Sequence, residues 1–145
     1  MRIAVAGDER NAVTDQVLEE LRRRGHDLVK VLGPVGGGAE QWAECGLEVG
    51  EAVAKGEADM GVVFCWTGTG VSMAANKVSG VRAALCTDAE QAKGARKYND
   101  ANVLAMSLRL TSPALAKEIL EAWFSTTELD PAEVPNIDKV KSADA

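Results

Sequence analysis

The chain has 145 residues, 46% of them hydrophobic and 26% charged, with a formal net charge of −6 at pH 7. That length fits one domain, 1–145, able to bury about 70% of the surface its unfolded chain exposes, and no apolar stretch approaches the ~20 residues needed to span a bilayer. The acidic balance excludes a general nucleic-acid or anionic-membrane surface, because those partners need clustered Lys and Arg to displace counterions.

In chain order, short β-type runs alternate with longer helical ones, the pattern of βαβ units around a parallel sheet. Residues 3–6 read as a first strand rather than a signal peptide, since the apolar run is short and soon meets Asp8, Glu9 and Arg10. A cytoplasmic location is the matching expectation. Val13, Val17 and Leu21 recur at helical spacing and stop at Gly25. A second strand over 28–32 runs into Gly33-Pro34-Val35-Gly36-Gly37-Gly38, read as an irregular, flexible loop. Trp42, Cys45, Val49 and Val53 form the stripe of a second helix ending at Gly56, with Trp42 assigned to packing.

The run over 60–65 is continuously apolar, as in a strand covered on both faces, and it empties into a Gly/Thr turn able to open a helix. Further strands are expected over 82–86 and 102–106. Thr87 and Glu90 have the spacing of a capping box for a helix running toward Tyr98, and Ser112-Pro113 supplies an N-cap and first-turn proline before Leu115, Ile119 and Trp123. The tail from Asp130 shows little periodicity, and 128–145 is expected to pack against a partner subunit. The expected architecture is a single-domain, Rossmann-like three-layer αβα sandwich with a five-stranded parallel sheet.

Ligands of an open parallel sheet bind beyond the carboxyl ends of its strands. There the sequence places Gly7-Asp8-Glu9-Arg10, the segment from Cys65 to Ser72, and Thr87-Asp88. A cysteine at a strand-to-helix turn meets free backbone N–H groups and a helix N-terminus, which favour its thiolate form and make it a base or nucleophile. A phosphatase-type loop needs Arg six positions after that cysteine, and Val71 stands there; a G-x-G-x-x-G fingerprint needs its third glycine at Met73. Cys45 and Cys86 read as small buried hydrophobes, and His26 as a solvated turn residue. Three cysteines without C-x-x-C spacing and a single histidine support neither a disulfide framework nor a metal site, and no cofactor is expected.

The segments Cys65-Trp66-Thr67-Gly68-Thr69-Gly70-Val71-Ser72-Met73-Ala74-Ala75-Asn76-Lys77, Gly80-Val81-Arg82-Ala83-Ala84-Leu85-Cys86 and Asn99-Asp100-Ala101-Asn102-Val103-Leu104-Ala105 resemble the ribose-5-phosphate isomerase B family, which includes the galactose-6-phosphate isomerase subunits. The resemblance implies a homodimer, or a tetramer built from two such dimers, with active sites at the subunit interface. It also implies cofactor-free interconversion of an aldose phosphate and its ketose through an enediolate. On it, Cys65 matches the base, Thr67 the threonine linked to ring opening, and Gly68, Thr69, Gly70, Val71 and Ser72 the loop whose amides hold the oxyanion. Asp8 matches the aspartate after the first strand, Asn99 an enediolate contact, and Arg109 a phosphate contact supplied across the dimer.

The departures bear on the substrate. Glu9 and Tyr98 stand where the family has histidines, the second of which helps open the sugar ring; Val71 stands where some members carry a glutamate base. Trp66 replaces a glycine and narrows the pocket, Gln41-Trp42-Ala43 replaces Asp-Tyr-Pro, and the tail lacks the phosphate-binding arginines, leaving Arg10, Lys139 or Lys141 to compensate. Without a ring-opening imidazole, ribose 5-phosphate is disfavoured and a tetrulose phosphate or another pentose phosphate fits better. Two other readings stay open: a catalytically silent sugar or nucleotide binder, and an isomerase of an unphosphorylated sugar.

Overall fold

The computed structural model describes all 145 residues. Five parallel strands, β1 (Arg2–Gly7), β2 (Asp27–Leu32), β3 (Met60–Cys65), β4 (Ala83–Leu85) and β5 (Val103–Ser107), form one sheet in the order β2-β1-β3-β5-β4. Helices α1 (Ala12–Arg23), α2 (Trp42–Ala54), α3 (Thr69–Asn76), α4 (Ala89–Asn99), α5 (Pro113–Ser125) and α6 (Val134–Lys141) complete it. The fold is the expected α/β sandwich.

Alternation along β3 shows how the layers arise. Met60, Val62 and Phe64 point into a core shared with Val17 and Leu21 of α1 and Ile119 and Trp123 of α5. Val63 and Cys65 point the other way, among Cys45 and Val49 of α2 and Val71 and Ala75 of α3. Both faces are therefore sealed, which is why β3 is apolar throughout. The chain leaves β1 for the sheet edge at β2 and returns to β3 on β1's other side, so the topological switch point lies between β1 and β3.

Several expectations need correction. The strand expected over 82–86 is only Ala83–Leu85, because the Arg82 N–H donates to the Asn102 side chain at 2.7 Å instead of joining the ladder. Asn76 then grips Ala83 from outside the sheet, accepting from its N–H at 2.8 Å and donating to its carbonyl at 3.0 Å. The N-cap of α4 is Asp88, which accepts from the Gln91 N–H at 2.7 Å; Thr87 donates instead to the Gln91 side chain. The loop after β2 contains a short 3-10 turn, Pro34–Gly36.

The tail is also regular. Asp130 caps a 3-10 turn at Pro131–Glu133 that leads into α6. Within the chain Ile137 is buried, Lys141 reaches Asp100 at 3.1 Å, and the Gly80 N–H donates to Asp144 at 3.0 Å. With one buried anchor, α6 has too short an apolar stripe for periodicity to reveal. No helix is long and apolar enough to cross a membrane.

Candidate active site

Cys65 ends β3 and is tied down by the loop that follows β5. Its carbonyl accepts from the Leu108 N–H at 3.0 Å, and the next carbonyl, that of Trp66, accepts from both the Ser107 hydroxyl and the Arg109 N–H at 3.0 Å. The chain then turns at Gly68, whose φ of 78° is left-handed; a Cβ there would meet Leu85 at 2.5 Å and the Met106–Ser107 backbone at 3.0 Å. Only glycine fits that turn.

Gly68 at the N-cap of α3 has no side chain to cap it; the Thr69 N–H donates to the Thr67 hydroxyl at 3.4 Å, and the Gly70 and Val71 N–H groups that follow have no intrahelical partner. Thr67 and Thr69 share a hydroxyl–hydroxyl hydrogen bond of 2.8 Å beside them. Gly70 lies against the Trp42 indole, where a Cβ would come within 2.8 Å of the ring. Val71 is fully buried in the α2–α3 core, which leaves it only an amide to offer, while Ser72 is half-buried one residue on.

A cleft of about 330 Å³ opens at this point, lined by Asp8, Trp42, Cys65, Trp66, Thr67, Thr69 and Gly70. Asp8 enters from the end of β1, across the switch point. Burial pushes its carboxyl above the usual carboxylate range, and the neighbouring Glu9 charge adds to the effect against an opposing backbone hydrogen bond. Burial pushes the thiols of Cys45 and Cys86 up to about 12, which leaves both inert. Thiol, carboxyl and the start of α3 thus meet in one concavity, the combination needed to move a proton while holding an oxyanion.

Other candidates lie elsewhere. Tyr98 and Asn99 line a second cleft of about 430 Å³, with Asn76, Arg82, Asn136 and Val140, and no residue lines both clefts. Arg109 is exposed on the loop after β5, its backbone bonded to Trp66. Glu9 is exposed beside Asp8 without lining the cleft, and Arg10 pairs with Asp15 at 2.8 Å in a separate groove. Lys141 is bonded to Asp100 and Lys139 is exposed. His26 lies at the opposite end of the sheet, its ring 4.3 Å from that of Phe124 and its Nδ1 3.1 Å from the chain's amino terminus; it is half-buried, and burial lowers its pKa. No group of three or more His, Cys, Asp or Glu side chains could hold a metal ion.

Two residues escaped the sequence reading. Trp42 has the spacing of a packing residue, yet it lines the Cys65 cleft and is 46% exposed. Its stripe on α2 runs past the end of the sheet, a position that helical spacing alone cannot distinguish from core. Asp100 was also passed over. In the left-handed conformation (φ 51°), it gathers Arg82, Arg96 and Lys141 at 3.3, 3.6 and 3.1 Å immediately after Asn99.

Comparison with known proteins adds a consistent set of likenesses. The family model described as Ribose/Galactose Isomerase matches residues 3–140. The D-erythrulose-4-phosphate isomerase of Pectobacterium atrosepticum is 32% identical over 137 residues, covering 94% of this chain and 88% of that protein. A galactose-6-phosphate isomerase subunit of Clostridium acetobutylicum is 36% identical over 137 residues, covering 86% of this chain and 74% of that one. Among solved structures, ribose-5-phosphate isomerase B of Clostridium thermocellum superposes with a TM-score of 0.87 at 34% identity, over 98% of this chain and 96% of that one.

Proposed function

The chain belongs to the ribose/galactose isomerase family, and on that footing we propose that it interconverts a small phosphorylated sugar and its ketose through a cis-enediolate, with Cys65 as base. The observation that carries the reading is the meeting of Cys65, Asp8 and the uncapped start of α3 in one cleft at the β1–β3 switch point. Starting from the ketose, the Cys65 thiolate takes a proton from C1, and charge develops on O2. The first-turn amides of α3 hold that oxyanion without reorganising. The thiol returns its proton to C2, while Asp8 gives its proton to O2 and accepts the one leaving O1. Each proton is accounted for, and C1 ends as the aldehyde.

A tetrulose 4-phosphate is the favoured substrate. Ribose 5-phosphate closes on itself through O4 and must be opened by an acid–base group, whereas a tetrose whose O4 carries phosphate has no such ring to open. The chain's one histidine sits at the far end of the sheet. The name of the Pectobacterium relative, a D-erythrulose-4-phosphate isomerase, agrees with this preference.

The functional unit is a homodimer in which each copy brings Tyr98, Asn99 and Arg109 to the other's Cys65 cleft, with Arg109 taking the phosphate. Support comes from the separation of the two clefts within one chain and from the exposed apolar surface of Met73 and Leu110. Mixing inactive Cys65→Ala and Asn99→Ala chains would restore about a quarter of the sites, since half of the dimers then hold one intact site; no restoration would contradict the shared site.

The test of the reaction is NMR in D2O with tetrulose, tetrose, pentose and hexose phosphates and their unphosphorylated forms. Deuterium entering the carbon beside the carbonyl of a tetrulose phosphate is the expected result. Thermal stabilisation by sugars without any exchange would instead identify a silent binder, a reading that gains some weight from Glu9 and Tyr98 standing where histidines were expected.

A further inference from the structure

The cleft around Cys65 has a wall that the proton-transfer chemistry does not use. Two of the chain's three tryptophans line it, Trp42 at 46% and Trp66 at 55% exposure, while the third, Trp123, is fully buried. Both exposed indoles stand on rigid supports. The Trp66 carbonyl receives two hydrogen bonds, from the Ser107 hydroxyl and the Arg109 N–H, each 3.0 Å, so its backbone is pinned while its ring stays free over the cleft. The Trp42 ring rests on the Gly70 backbone so closely that even a methyl group at Gly70 would come within 2.8 Å of it, and the ring cannot retreat toward α3. Both indoles thus narrow the cleft from fixed backbone positions, and a longer ligand must turn one of the rings aside to enter.

From this geometry, and resting on the isomerase reading above, we infer that Trp42 and Trp66 are specificity-determining residues that limit the Cys65 cleft to a four-carbon sugar phosphate. The indole faces cover the C–H face of the short carbon chain and exclude water from the forming enediolate. Their negative π-faces also disfavour a phosphate beside them, which directs the phosphorylated end away from the aromatic wall. A fifth carbon would have to displace an indole or leave C1 and C2 out of reach of Cys65.

Chain length can be separated from ring opening by working from the ketose side. Tetrulose 4-phosphate and pentulose 5-phosphate are both acyclic, because in each the terminal oxygen carries phosphate and no other hydroxyl can close a five-membered ring on C2. The experiment measures kcat/KM for both, by NMR of aldose formation, in the wild-type protein and in Trp66→Ala, Trp42→Ala and Trp66→Phe. The wild type should prefer the tetrulose by about tenfold or more, and each alanine variant should narrow that preference about tenfold by gaining on the pentulose, with Trp66→Phe retaining it.

A preference unchanged within about threefold in both alanine variants, or an equal loss on both substrates, would overturn the inference and leave the indoles a purely structural role. Should an alanine variant fail to fold, fluorescence of the wild type decides, since Trp123 is shielded in the core. Tetrulose 4-phosphate should perturb the emission at lower concentration than pentulose 5-phosphate, and equal responses, or none, would contradict the inference. Absence of turnover of either ketose by the wild type has a different meaning: it would remove the isomerase reading itself, and the length limit with it.

Discussion

The helices on the two faces of the sheet begin in different ways. Across one face, α1, α4 and α5 each start under a side-chain cap: Asn11 accepts from the Val13 and Thr14 N–H groups, Asp88 from Gln91 and Ser112 from Leu115. On the other face, α2 and α3 start with no side-chain cap, and both starts adjoin the Cys65 cleft through Trp42, Thr69 and Gly70. A cap of Ser, Asn or Asp stabilises a helix by about 1 kcal/mol, so its omission at α3 leaves stability ungained while keeping backbone donors available. One face is built for folding; the opposite one leaves its donors free for an anion.

Four substitutions break or sharpen that contrast, in order of expected effect. Cys65→Ala removes the base and should lower kcat about 10²–10⁴-fold while leaving thermal stability close to wild type, as read by NMR exchange and calorimetry. Gly68→Ala places a Cβ 2.5 Å from Leu85 in a left-handed turn; a loss of roughly 2–3 kcal/mol in urea unfolding is expected, together with reduced activity because the start of α3 moves. Ser112→Ala, on the capped face, should lose about 1 kcal/mol in the same assay with kcat/KM unchanged. If Ser112→Ala affected catalysis as strongly as Gly68→Ala, the division of labour between the faces would be wrong.

The smallest effect on stability has an informative sign. Because burial raises the Asp8 pKa in the folded protein, its ionised form opposes folding, so the native state holds its proton more tightly than the unfolded chain does. The contribution of Asp8 to stability is therefore fully present below the ordinary carboxylate pKa and is lost as pH rises through the raised, folded value. Asp8→Asn should increase Tm slightly at pH 7 and lose that advantage as pH falls through the carboxylate range, while activity drops at both ends. A variant less stable than wild type at pH 7 would contradict the burial argument.

Much of this was legible in the sequence. The continuous apolar run that became β3, and the Gly/Thr turn after it, identified the strand-to-helix junction because each step is local: β-branched residues, a breaker, then helix formers. Ser112-Pro113 marked the start of α5 for the same reason. Tertiary context hid the rest. Arg82 left the strand because Asn102, twenty residues away, offered its N–H a better partner. The helix α6 rests on Ile137 and on a bond from Lys141 to Asp100, neither of which produces a periodic stripe. Trp42 matches the spacing of core residues and differs from them only in lining the cleft beyond the carboxyl ends of the strands. The placement of Tyr98 and Asn99 in a different cleft from Cys65 involves chain segments far apart in sequence, so no spacing rule reaches it.

The most direct test is a crystal structure with 3-phosphoglycerohydroxamate, whose three carbons and hydroxamate nitrogen mimic the planar enediolate of tetrulose 4-phosphate. Its hydroxamate carbonyl oxygen, which stands for O2, should lie about 3 Å from the first-turn amides of α3, with the Cys65 Sγ facing the hydroxamate nitrogen that stands for C1. A ligand bound outside that cleft, or one whose oxygens avoid the α3 amides, would contradict the assignment of the uncapped helix start and Cys65 as the reacting centre.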